Sequence, residues 1–115
     1  FTKKTRDIFN KKLFSKMRKN SYFINVSRGT LVDTKDLIYF LKKNHFKGIG
    51  LDVTNPEPLI KSNILNIHPN VIVTPHVAGP SDFNRERSFQ LVLKNLKRFS
   101  KNLSLLNEVD LQKGY

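Results

Sequence analysis

The reading of the fold turns on residues 22–53, YFINVSRGTLVDTKDLIYFLKKNHFKGIGLDV. The stretch opens with YFINV (22–26) and closes with IGLDV (49–53), two short runs rich in residues that favour extended backbone. Between them Leu37, Phe40 and Leu41 fall at i, i+3 and i+4, the spacing that gathers apolar side chains on one face of a helix. Asp33 or Thr34 offers an oxygen to the first unpaired amide protons, and Asn44 stands where a helix ends on a left-handed residue. The spacing predicts a helix over 34–44. Strand, helix and strand within about thirty residues make a βαβ unit, whose strands are parallel and whose crossover is right-handed.

Working outward, residues 71–74 (VIVT) read as a third strand of the same kind. All three runs are nearly continuous in apolar character, which predicts strands buried on both faces of a parallel sheet. The connection 54–70 carries three prolines and reads as loop, with at most a helical turn over 62–67. Residues 81–100 place Phe89, Val92, Leu93, Leu96 and Phe99 on one stripe, so a long amphipathic helix is expected there. A shorter helix is expected over 11–18, with Leu13, Phe14 and Met17 as its buried side, and a short extended piece over 105–111. The expected class is α/β: a parallel sheet over 1–79, then a long C-terminal helix and tail over 80–115.

With 115 residues and 38% apolar content, the chain has material for one modest core. Its apolar runs are far shorter than the roughly 20 residues that cross a bilayer, and residues 1–6 lack the pattern of a secretory signal. A cytoplasmic protein without a membrane partner is expected. The absence of cysteine excludes disulfides and thiolate metal sites, and no metal site is expected. The formal charge of +12 admits an anionic partner such as nucleic acid. Against that, lysine supplies 15 of the 21 basic residues, the charges run along the whole chain, and aromatic residues do not interleave with them as a stacking platform requires. A solvated surface, with no nucleic-acid partner, is the expectation.

In a parallel sheet the carboxyl ends of the strands share one edge, where open α/β folds place their ligands. Arg28 follows the first strand by two residues, Asp52 sits at the end of the second with Glu57 five residues on, and His76 follows the third by two. Taken singly, each has a plainer explanation: Arg28 as a turn residue before Gly29, Glu57 as decoration between two prolines, His76 as structural. Their joint delivery to one edge points to a site.

These residues sit in stretches that resemble the D-2-hydroxyacid dehydrogenases: INVSRGTL (24–31), GLDVTNPEPL (50–59) and NVIVTPHVAG (70–79), in order and spacing. The likeness extends over about residues 1–100, is nearest in wording to the glyoxylate/hydroxypyruvate reductases, and implies that 1–79 form the second half of a Rossmann-type NAD(P)-binding domain. It implies hydride transfer between NADPH or NADH and a small 2-oxo or 2-hydroxy acid. In that scheme Arg28 grips the substrate carboxylate, His76 exchanges a proton with the substrate oxygen, and Glu57 holds the imidazole and favours its protonated form. Val26, Ser27, Arg28, Asp52, His76 and Gly79 are the implied cofactor contacts, with Val77 and Ala78 toward the substrate. The resemblance also implies a homodimeric parent protein, and the Gly-rich turn and the residue that selects between NAD and NADP are expected upstream of Phe1. Pro80 and Ile49 depart from the commoner residues at their positions. Two alternatives stand beside the reductase: an enzyme like phosphoglycerate dehydrogenase, and a dehydrogenase-like binding protein or inactive fragment without catalysis.

Overall fold

The structure, a computed structural model, describes residues 2–114. The chain divides into two compact units, the first ending at Ala78 and the second beginning at Gly79. In the first, strands β1 (Ser21–Asn25), β2 (Phe46–Leu51) and β3 (Val71–Val73) form a parallel sheet in the order β1-β2-β3. Helix α1 (Lys11–Phe14) precedes β1, α2 (Thr34–Lys42) joins β1 to β2, and α3 (Ile64–Ile67) lies in the connection to β3. The βαβ expectation and the third parallel strand hold.

α2 forms for the reasons its sequence supplies. The Asp33 side chain accepts from the Asp36 amide, Leu37, Phe40 and Leu41 are buried, and Asn44 takes a φ of 51° just past the end. α1 is shorter than the expected 11–18. Asn10 caps it by accepting from the Lys12 and Leu13 amides, but Lys11 and Lys12 in its only turn oppose the helix dipole, and residues 15–20 continue in turns and bends. Its contribution is Phe14, fully buried, whose ring lies 5.3–6.4 Å from those of Phe9, Phe23, Phe40 and Phe46. Such an aromatic cluster adds directional ring contacts to the area it removes from water. β2 starts three residues earlier than expected, since Phe46 pairs with Ser21 and Gly48 with Tyr22 across a bulge.

The expectation of strands buried on both faces is corrected. Phe23, Asn25, Ile49 and Leu51 point into the core, whereas Tyr22, Ile24 and Ile72 on the opposite face are 61%, 70% and 70% exposed. The crossover helix of a βαβ unit covers one face only.

The second unit is built on α4 (Asn84–Phe99), within the expected 81–100. Asn84 Nδ2 donates to the Gly79 carbonyl ahead of its first turn. None of its residues is buried, so the Phe89, Val92, Leu96 and Phe99 stripe stands open beside Leu105. The extended piece expected over 105–111 is absent. Asn95 brackets Leu106 through both its amide and carbonyl, and the Asp110 carboxylate accepts from the Gln112 and Lys113 amides, which bends the tail into turns. Among the described residues no helix is long and apolar enough to cross a membrane.

Candidate active site

Strand register puts the site together. Asn25 pairs with Leu51, and Leu51 with Val73, so the three strands end in one row. The next residues continue the ladder: Asp52 donates its amide to the Asn25 carbonyl, and Thr74 donates its amide to that of Leu51. Asp52 and Thr74 therefore stand side by side one step beyond the sheet, and the Thr74 hydroxyl donates to Asp52 Oδ1 at 2.6 Å.

Asp52 is 5% exposed, and both its oxygens are occupied. Oδ1 also accepts from the Val77 amide and Oδ2 from the Ala78 amide, each at 2.8 Å. The Thr74 hydroxyl above all, then these amides, hold its carboxyl below the usual aspartate value despite burial. Its position at the end of the second strand is the one read from sequence, but its carboxylate is engaged with residues 74–78. It clamps the loop that carries His76.

That loop is strained at one residue. His76 has a φ of 56°, a left-handed conformation that costs a side chain of its size roughly 1–2 kcal/mol. The His76 amide donates back to the Thr74 carbonyl, and the Asp52 clamp on the two following amides holds the chain in place. The imidazole is thereby turned to Glu57, with Nδ1 at 2.7 Å from Oε1. This hydrogen bond first, then the Thr54 amide at 3.4 Å on Oε2, keeps Glu57 below the ordinary glutamate value. An ionised carboxylate only accepts, so Nδ1 carries the proton and Nε2 is the nitrogen left for a ligand. The imidazole and carboxylate remain 48% and 39% exposed, within reach of a small molecule. Beside them lies a cavity of about 370 Å³, lined by Asp52, Thr54, Glu57, Leu59, Asn66, Thr74 and His76 among others.

The Glu57 loop has its own supports. Thr54 Oγ1 donates to the Pro56 carbonyl and Thr34 Oγ1, from the start of α2, to that of Asn55. Arg28 reaches the same edge from β1. It is followed by Gly29, where a Cβ would lie 1.9 Å from the Thr54 carbonyl oxygen, so the turn carrying Arg28 packs backbone to backbone on the loop carrying Glu57. The Arg28 guanidinium itself donates to the Ser27 carbonyl at 2.6 Å and forms no hydrogen bond or ion pair with Glu57 or His76. Glu57 and His76 are brought together, and Arg28 is brought to the neighbouring turn with its side chain folded back. Val26, just past β1, is 59% exposed at this edge, and Ser27 donates its amide to Asn25 Oδ1. Gly79 opens the second unit. Sequence reading missed Gly29, Thr54 and Thr74, whose parts consist of contacts that only the folded chain makes. Among the described residues no group of three metal-ligating side chains forms.

Residues 1–78 match the family described as D-isomer specific 2-hydroxyacid dehydrogenase, NAD binding domain. A glyoxylate/hydroxypyruvate reductase A from Photorhabdus laumondii is 35% identical over 99% of this chain and 36% of that protein. An NADPH-dependent glyoxylate/hydroxypyruvate reductase from Sinorhizobium meliloti, solved with NADP and sulfate, superposes with a TM-score of 0.87 at 38% identity over all of this chain and 37% of that one. A D-isomer specific 2-hydroxyacid dehydrogenase from Xanthobacter autotrophicus, solved with NADPH and MES, gives a TM-score of 0.91 at 33% identity, covering 47% of that chain. The present chain thus spans about a third to a half of the length of these relatives.

Proposed function

The chain belongs to the D-isomer specific 2-hydroxyacid dehydrogenase family, and from that premise we propose that it carries the proton-transfer residues of an NADPH- or NADH-dependent reductase of small 2-oxo acids, glyoxylate and hydroxypyruvate foremost. The observation that carries this reading is the His76 Nδ1 to Glu57 Oε1 hydrogen bond of 2.7 Å at the carboxyl edge of a parallel sheet. The exposed Val26 and the open strand ends suit a flat nicotinamide ring, which supplies a hydride to the substrate's C2 when bound.

The remaining work falls to side chains of this chain. Protonated His76 gives the Nε2 proton to the carbonyl oxygen as that oxygen gains charge, and neutral His76 takes it back in the reverse direction. Glu57 fixes the tautomer by holding Nδ1, which leaves Nε2 for the substrate oxygen. Arg28 unfolds from the Ser27 carbonyl to grip the substrate carboxylate, for which its planar fork is suited and a lysine is not. Asp52 acts on the site through the loop that carries His76. The +12 charge on this reading is solvated surface that also favours approach of an anionic substrate.

The test is a steady-state assay of the full-length protein with NADPH or NADH against glyoxylate and hydroxypyruvate. Turnover is expected with one of these acids, and His76→Ala or Arg28→Ala is expected to lower kcat/KM by about 10²–10⁴-fold. Undiminished turnover in either variant removes that residue from the scheme. A clear preference for 3-phosphohydroxypyruvate would move the substrate to that of phosphoglycerate dehydrogenase.

A further inference from the structure

Two residues with polar side chains are buried among the described residues, Asp52 and Asn25. Asp52 secures the His76 loop, and nothing in the scheme above uses Asn25. Asn25 is the last residue of β1, 7% exposed, on the sheet face occupied by Phe23 and opposite Leu51. An apolar side chain would suit that position in the core, and burying an amide there without partners costs about 1–3 kcal/mol. Its partners are all at the site. Oδ1 accepts from the Ser27 amide at 3.1 Å, Nδ2 donates to the Arg28 carbonyl at 3.0 Å, and the main-chain carbonyl takes the Asp52 amide at 3.0 Å.

We propose that Asn25 is a positioning residue for Arg28, acting on the carboxylate-binding side of the site as Asp52 acts on the proton-transfer side. This role rests on the reductase reading. The side chain of Asn25 closes residues 25–28 into a turn by holding one amide and one carbonyl, so the chain leaves β1 in one direction only. Past Arg28, the contact of Gly29 with the Thr54 backbone fixes the other end of the turn. The backbone of Arg28 is thus held from both sides, while its guanidinium donates to the Ser27 carbonyl at 2.6 Å, a bond it must exchange for one to the substrate carboxylate. A clamp on the root of a long cationic side chain limits where its fork can arrive, and misplacement by about 1 Å costs up to about 100-fold in a positioned contact. The group whose placement depends on Asn25 is the carboxylate of the 2-oxo acid, not the dinucleotide.

The test compares Asn25→Ala and Asn25→Asp in the full-length enzyme, each with and without Arg28→Ala, measuring KM for glyoxylate, kcat and NADPH affinity by fluorescence. With Arg28 present, KM for glyoxylate is expected to rise about tenfold while kcat at saturation and NADPH affinity stay within about threefold. In the Arg28→Ala background the same Asn25 substitution is expected to leave KM unchanged, because residues that act through one another are not additive. Should Asn25→Ala not fold, the isosteric Asn25→Asp, which keeps the acceptor for Ser27 and loses the donor to Arg28, decides by the same ratio. A fall in kcat at unchanged KM, or an equal KM rise with and without Arg28, overturns the role. Wild-type enzyme that reduces no 2-oxo acid with either cofactor overturns the reductase reading instead, and is told apart because it precedes any Asn25 substitution.

Discussion

At the scale of single residues the site depends on two carboxylates that differ in what they hold. Glu57 keeps an imidazole in one tautomer, while Asp52 keeps a strained backbone in one conformation. Both are held more acidic than usual, Asp52 chiefly by the Thr74 hydroxyl and Glu57 chiefly by His76. For Asp52 the folded state prefers the ionised form, so on acidification the unfolded chain takes up a proton first. Its contribution to stability is then complete above the ordinary value of 3.8 and is lost as pH falls through the lower folded value. Asp52→Asn is expected to melt at lower temperature than the native full-length protein at pH 7, and to show a flatter decline below pH 3.8. Thermal melts from pH 7 downward check this, and parallel acid limbs in the two proteins would show that the Asp52 carboxylate gains nothing from folding. Arg28, Glu57 and His76 were legible in the sequence because each follows a strand. Asn25, Gly29 and Thr74 were not, because an amide within an apolar run, a glycine after an arginine and a threonine at a strand end acquire their parts only once register sets them beside another strand.

Among elements, the crossover from β1 to β2 was written most plainly in the sequence, since α2 brings its own cap at Asp33, its own apolar face and its own stop at Asn44. Elements that lack such local instructions came out differently. β2 begins at Phe46 because Ser21 and Tyr22 are there to pair with it, and the tail bends because Asn95 and Asp110 offer side-chain partners to its backbone. The apolar continuity of the strands suggested two covered faces, yet hydrophobicity records what a face can bury and not which segment covers it. Where two elements meet, the 3-10 turn Gly29–Leu31 after β1 lies against the loop after β2. Gly29→Ala would place its Cβ 1.9 Å from the Thr54 oxygen and 2.1 Å from the Thr54 carbonyl carbon, and backbone at this place has no flexible tip that could yield. The substitution is expected to cost about 1–3 kcal/mol, read from the urea midpoint of the full-length protein, and to impair catalysis by parting the turns of Arg28 and Glu57. An unchanged midpoint would mean that the two turns separate freely, contrary to the packing described.

For the whole molecule, apolar surface and charge pull in opposite directions. The first unit leaves Tyr22, Ile24 and Ile72 open on its sheet, and the second leaves Phe89, Val92, Leu96 and Phe99 open on α4. Contiguous exposed apolar surface drives association, whereas a net charge of +12 opposes it through mutual repulsion between copies. Repulsion between exposed charges weakens as salt rises, with a screening length of about 10 Å at 0.1 M, and apolar attraction persists. The 115-residue chain by itself is therefore expected to be largely monomeric at low ionic strength and to self-associate as salt is added, and Ile24→Thr together with Ile72→Thr is expected to shift that onset to higher salt. Sedimentation velocity over a salt series checks both. The sign of the effect is the informative part: assembly held together by the lysines and an anionic partner such as nucleic acid would loosen with salt. Association that weakens as salt rises would therefore make the basic surface, rather than the open sheet, the face through which this chain meets other molecules.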